Sequence, residues 1–423
     1  MTQQFDFDPL RIPQPADPYP LYRQLRNEHP LYQVPGSDVF CLSRHRDIAF
    51  ALRHPEIFSS EAMQTVLMSP DQTRMRMRDI PTLARFLVQA RVNPLKMADR
   101  PKGLVESDPP EHDALRSIVN RGFTPRRISE WERRAQEIVA RCMAGIDRGR
   151  PFDVMRDLAV PLPVTVIAEM LGVEPSRQHD FKRWGDAVVA ASTGAGRQGG
   201  LSALLAPMGE LRAYLRGIIR ARQRAPQEDL ISVLLEHRDG GALDEERLFG
   251  FIMLLLIAGN ETTTNLIGNA TLALLAHPEQ LEQVRAEPQY LPALVEEALR
   301  YDTPVQTLFR QTTQPVEVSG GEIPAGAPVA LLMGSANRDD DVYSDPDRFD
   351  VTRESPGHLA FGFGVHFCLG ASLARLEARV ALEALIAELP HRRVPEPTTD
   401  WVDSFTVRGP RTLWLAPNAP LHA

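Results

Sequence analysis

Residues 361–370 read FGFGVHFCLG, a run that sets three glycines around one cysteine, and the strongly periodic stretch ASLARLEARVALEALIAEL follows directly. This places Cys368 at the N-terminus of a predicted helix, where the helix dipole and unpaired backbone N–H groups stabilise a thiolate. Gly362, Gly364 and Gly370 let the backbone come close to the sulfur. A zinc site would need several further Cys, His or carboxylate ligands, and the nearest, His366, lies two residues away in the same loop. A nucleophile would need a general base and a group that orients it. His366 could serve as the base, but no third member is in view. Haem iron needs one axial protein ligand, and thiolate is among those it takes. The haem reading asks for the fewest further residues; a buried, inert cysteine is the alternative for Cys368 taken alone.

A second constellation lies in AGNETTTN, residues 258–265, inside a run from Leu248 to about Ala276 that is apolar almost all round. Such a run predicts one long helix buried through the centre of a domain. A carboxylate, three threonines and two amides are costly to bury there, which marks Glu261 and its neighbours as functional candidates. Threonine hydroxyls compete for helix carbonyls and Gly259 weakens the helix locally, so a groove toward a small ligand such as oxygen is expected. The alternative is that Glu261 faces solvent.

Two further patterns involve charge. In VEEALRYDTP, Arg300 is spaced to pair with Glu297 or with Glu296, and spacing alone does not choose. After Asp108-Pro109-Pro110, a helix start, His112 and Arg116 fall four residues apart on one face, an arrangement suited to holding an anion.

The elements that must position these groups are mostly helical. From about Asp108 to Leu299 most segments have a 3.6-residue period. The first stretch is proline-rich, with a short strand at Val39 to Leu42, and β-like runs return at Val316 to Val318 and Val329 to Met333. ASTGAGRQGG, residues 191–200, reads as a loop. The 423 residues hold 43% hydrophobic side chains, enough for a large core, and a net charge of -8 argues against a nucleic-acid partner. Three widely spaced cysteines, Cys41, Cys142 and Cys368, fit a reducing compartment. The N-terminus lacks a signal-peptide pattern and the longest apolar run is too short to span a bilayer, so a cytoplasmic protein with no membrane partner is expected.

The cysteine loop resembles the haem-binding loop of the cytochrome P450 family at Phe361, Gly362, Gly364, His366, Cys368, Leu369 and Gly370, and the resemblance runs from about Asp8 to Pro417. It implies a mainly α fold, one cytochrome P450 domain over residues 1–423, β-rich at about 8–60 and 305–335 and helical elsewhere. It implies haem b (iron protoporphyrin IX) with Cys368 as the iron ligand, Ala258 and Gly259 beside the haem, and Glu261 and Thr262 as the acid and alcohol that deliver protons, with Thr263 a weaker candidate. His112, Arg116, Arg310 and His366 are the implied propionate partners, and Ala374 is to lie against the porphyrin. Among the charge patterns the family selects Glu297 for Arg300 and adds Arg348, giving a buried structural cluster. Arg121, Arg126, Arg127 and Arg375 form a candidate patch for an acidic electron-transfer protein.

The implied reaction inserts one oxygen atom of O2 into a small organic molecule, with electrons from NAD(P)H through a ferredoxin and its reductase. The resemblance places the substrate among Ser59 to Gly103, where Met63, Met68, Met75, Met77 and Met97 would adapt to bulky ligands, the 191–200 loop, the long helix, Thr303 to Leu308 and the turn near Phe405. A peroxide-driven enzyme is the nearest alternative, disfavoured by Glu261-Thr262. A non-catalytic haem sensor is the alternative from another class.

Overall fold

Glu245–Ala276 forms a single 32-residue α-helix in the computed structural model of the chain. The structure describes residues 5–11, 14–61, 102–177, 179–181, 183–185, 187, 200–236, 243–354, 357–389, 392–393 and 399–417. The five methionines assigned to a substrate segment and residues 191–199 of the expected loop lie outside the described residues. The long helix starts three residues earlier than its apolar pattern. Asp244 accepts the Arg247 N–H at 2.8 Å, so a polar, acidic first turn is capped before the apolar face begins. By length and composition this helix could cross a membrane, but 56% of its apolar window is buried inside the protein, as befits a core helix.

The chain divides into two compact units. The first comprises Met1–Ser59, Glu130–Pro163 and Thr262–Ala423. Its main sheet contains β1 (Leu31–Gln33), β2 (Phe40–Leu42), β3 (Phe58–Ser59), β4 (Thr307–Thr312) and β5 (Pro328–Leu332), in the order β1-β2-β5-β4-β3. The pairs β1/β2, β4/β5 and β3/β4 are antiparallel. Only β2 and β5 run parallel, with Phe40 opposite Val329 and Leu42 opposite Leu331. A parallel pair needs a long crossover, and here most of the chain intervenes. One apolar cluster joins this sheet to the helix His45–Arg53: Leu42, Ile48, Leu52, Phe58, Val329 and Leu331 are all buried in it.

The expected strands are found at Phe40–Leu42, Val316–Val318 and Pro328–Leu332, while Met333 instead opens the short helix Met333–Ala336. The helices Leu291–Tyr301 and Ala371–Glu388 complete the part of this unit that concerns the cysteine. The second unit, Ser60–Ser129 and Val164–Glu261, is helical where described, with Glu111–Val119, Gly200–Arg224 and Leu230–Glu236 beside the first half of the long helix.

Candidate active site

In the cysteine loop, backbone hydrogen bonds fold the chain back on itself. The Cys368 N–H donates to Phe361 O at 2.8 Å, Gly362 N–H to Leu359 O at 2.8 Å and Phe367 N–H to Gly364 O at 3.1 Å. Gly362 and Gly364 both take φ +71°, a region that favours glycine. Gly364 is required twice over, because a Cβ there would lie 2.5 Å from the Leu52 carbonyl oxygen. Gly370 differs: it caps Ala371–Glu388 at φ -86° and a Cβ would meet nothing within 4 Å. Cys368 therefore stands two residues ahead of the cap, half-buried and outside any disulfide. His366 ends a 3-10 turn, Gly364–His366, and Ala374 lies in the first turn of the helix, its N–H bonded to Gly370 O at 2.9 Å.

The loop is tied to a buried ion-pair cluster. Arg300 meets Glu297 with both ends of its guanidinium, Nε to Oε2 and Nη2 to Oε1, each at 2.7 Å. Its Nη1 donates to the carbonyls of Asn337 at 3.1 Å and Pro346 at 2.7 Å. Asn337 Oδ1 in turn accepts the Leu359 N–H at 2.7 Å, and Asn337 Nδ2 donates to Thr303 Oγ1 at 2.8 Å.

The second arginine of the cluster is not the expected one. The Arg348 side chain is 64% exposed and its ion-pair partner among the described residues is Asp350, at 3.8 Å; its contribution is a carbonyl that accepts from Arg300 Nη2 at 3.1 Å. Arg353, 9% exposed, takes the place beside Glu297 at 3.3 Å. Five residues separate the two arginines, and no spacing rule distinguishes them. Glu296, the pairing partner that Arg300 leaves aside, binds Arg375 through two contacts of 2.7 and 2.8 Å. Arg375 is thus committed to an ion pair and is not a loose member of a docking patch.

On the long helix, burial separates the polar residues by face. Leu254, Leu255, Ala258, Glu261 and Thr262 fall on one stripe, with Ala258 exposed and the others half-buried, while Asn260 and all residues from Thr263 to Thr271 are buried. Glu261 and Thr262 share the accessible stripe; Thr263 does not. Thr264 turns outward from the helix to donate to Ala159 O at 3.0 Å. Gly259 serves packing, since a Cβ there would come within 2.6 Å of Ile167 Cδ1. Glu261 Oε1 has no hydrogen-bond partner among the described residues, and burial pushes its carboxyl up to about 7.

The anion-binding candidates occupy different elements. His112, buried on Glu111–Val119, has Nδ1 3.0 Å from Asp113 Oδ1. Arg116 donates Nε to Asn120 Oδ1 at 2.9 Å. Arg310 sits on β4 at 4% exposure and donates Nη1 to Phe309 O at 2.8 Å. Of the expected substrate contacts, Phe405 is buried with its ring centroid 5.9 Å from that of Phe309.

Comparison with known proteins decides the family. The cytochrome P450 family model matches residues 209–406. Vitamin D(3) 25-hydroxylase of Pseudonocardia autotrophica is 40% identical over 379 residues, covering 88% of this chain and 87% of its own. The chain belongs to the cytochrome P450 family. Cytochrome P450 monooxygenase PikC of Streptomyces venezuelae is 38% identical over 94% of this P450 and 90% of its own length. The structure of cytochrome P450 CYP109Q5 from Chondromyces apiculatus superposes with a TM-score of 0.82 at 38% identity, covering 95% of this chain and 96% of that one. This P450 is a haem b monooxygenase that inserts one atom of O2 into an organic small molecule, with electrons from NAD(P)H through separate redox partners.

The residues present fit that cofactor. Haem asks for a single protein ligand, and thiolate is among those it takes. The cysteine loop offers one thiol on a backbone that glycines keep narrow. When bound, haem supplies the iron at which oxygen is activated.

Proposed function

We propose that Cys368 would hold haem as its thiolate ligand, that Glu261 and Thr262 would hold and pass protons beside it, and that His112, Arg116, Arg310 and His366 would hold its propionates. The observation that carries this reading is the stripe on the long helix, where Glu261 and Thr262 stay accessible while their polar neighbours are buried. A carboxyl pushed up to about 7 holds a proton at Oε2 or Oε1 and gives it up near neutral pH, as a proton relay requires. Thr262, the next residue and on the same stripe, is the alcohol we assign to pass that proton on. Ala258, the most exposed residue of the stripe, leaves room for a flat ligand.

The substrate we infer is bulky and lipophilic. Relatives support this: one is named for vitamin D(3), another is an erythromycin C-12 hydroxylase, and a neighbour at 32% identity is seen with testosterone. A ferredoxin and its reductase provide the electrons. Three cysteines outside disulfides support a reducing, cytoplasmic setting. We read residues 1–423 as one cytochrome P450 domain, the reading that the family resemblance supports.

Spectroscopy tests the central assignment. Reduced, carbon monoxide-bound protein should show the strongly red-shifted thiolate Soret band, and Cys368→Ser should lose it; a band that survives the substitution would falsify the ligand assignment. Screening lipophilic compounds for a low-to-high spin shift would then identify the substrate class.

A further inference from the structure

Arg375 lies in the second turn of the helix that follows Cys368, and three contacts hold it. Glu296 takes both ends of the guanidinium, Nε at 2.7 Å and Nη2 at 2.8 Å. Arg375 Cζ stands 4.5 Å from the Phe361 ring centroid, within cation–π range. The Phe361 carbonyl accepts the N–H of Cys368 at 2.8 Å, so the residue that carries the cation on its ring also holds the cysteine by its backbone. His358 Nε2, 3.3 Å from Glu296 Oε2, belongs to the second side chain at the carboxylate.

Electrostatics join the same residues. The Arg375 guanidinium is raised above its ordinary range, first by its hydrogen bond to Glu296 and in part by the charge of Cys368. Burial opposes ionisation of Glu296, but the hydrogen bonds from Arg375 and the nearby His358 imidazole outweigh it and hold the carboxyl at about 2. Both members of the pair stay charged throughout the neutral range.

We propose that Arg375 and Glu296 are positioning residues for electron transfer: a fixed cation on the ring of Phe361, whose carbonyl holds the Cys368 N–H, that eases reduction of the bound haem, and a fixed anion that limits this effect. The proposal rests on the reading of Cys368 as axial ligand. The step concerned moves one electron from the redox partner to ferric haem; the partner is oxidised by one electron, the haem is reduced by one, and no bond or proton at Cys368 changes. A positive charge near the sulfur stabilises the electron-richer state and a negative charge opposes it. The side chains are 37% and 41% exposed, so solvent moderates both effects.

The test compares purified holoenzyme with Arg375→Gln, Arg375→Lys and Glu296→Gln by spectroelectrochemical titration, with the ferrous carbon monoxide spectrum of each. Arg375→Gln should shift the ferric–ferrous equilibrium toward ferric, roughly threefold or more against a fixed reductant. Arg375→Lys should fall between it and the parent. Glu296→Gln keeps a hydrogen-bonding amide but removes the negative charge, and should shift the equilibrium the other way. Opposite signs with the thiolate band retained support the proposal, because loss of a merely structural contact has no reason to invert. An unchanged potential in Arg375→Gln, or shifts of one sign in both, overturns it. If Arg375→Gln does not retain haem, Glu296→Gln decides alone: a rise supports and anything else overturns. Absence of the thiolate band in the parent would instead defeat the Cys368 assignment.

Discussion

Glu261 and Glu377 are both carboxyls that burial holds above their ordinary range, to about 7 and about 8, but they sit in different surroundings. Glu261 is half-buried, on the same stripe as Thr262. Glu261→Gln should lower turnover about tenfold or more and remove the inflection near pH 7 from the rate profile; a pH–rate series checks both. Thr262→Ala should keep haem but divert reducing equivalents to peroxide, read as NAD(P)H consumed without product.

Glu377 is 2% exposed on the cysteine helix, and its Oε1 has no partner among the described residues. A carboxyl that holds its proton more tightly when folded destabilises the fold as pH rises from its ordinary 4.5 toward 8. Glu377→Gln should therefore match the parent near pH 5 and exceed it at pH 8 by on the order of 3 kcal/mol, measured by urea unfolding. Equal pH dependence in the two proteins would show that Glu377 is not the titrating group.

At the scale of elements, the cysteine loop is shaped by two kinds of glycine. Gly364 combines φ +71° with the Leu52 carbonyl 2.5 Å from where a Cβ would sit, so it docks the loop on the helix His45–Arg53. Gly364→Ala should cost about 3 kcal/mol and reduce the fraction of thiolate-type carbon monoxide complex. Gly370→Ala, with open space and an ordinary φ, should change stability by only a few tenths of a kcal/mol. Thermal unfolding of the two variants side by side distinguishes a loop held by Gly364 from one in which the glycines are interchangeable. The long helix makes a similar distinction among its threonines: Thr264 fastens it to Ala159, whereas Thr262 remains on the accessible stripe.

At the scale of the whole molecule, the cluster around Glu297 connects the helix Leu291–Tyr301, the segment through Arg353 and, by way of Asn337, the start of the cysteine loop. Removing one partner of a buried ion pair leaves an uncompensated charge. Arg353→Leu should lower stability by about 3 kcal/mol, while Arg348→Leu, at an exposed side chain, should stay within about 0.5 kcal/mol. Denaturant midpoints measure both, and equal losses would mean that the exposed arginine shares the load.

Local pattern in the sequence was enough for the cysteine loop, its following helix and the long apolar helix with its polar break at Glu261-Thr262, because glycine spacing, helical periodicity and a polar break in an apolar run are all written within a few residues. The family resemblance followed from the same local signals. Partnerships between distant segments were not written there. The choice of Arg353 over Arg348, the Glu296–Arg375 pair, the Asn337 bridge and the parallel β2/β5 pairing each join residues whose spacing along the chain is arbitrary. Burial, which separates Thr262 from Thr263 and puts Gly259 against Ile167, depends on what packs against each helix face. Sequence thus determined where Cys368 and Glu261-Thr262 stand on their elements. Tertiary structure decided which charges stand near them, because a charge acts through space and not along the chain.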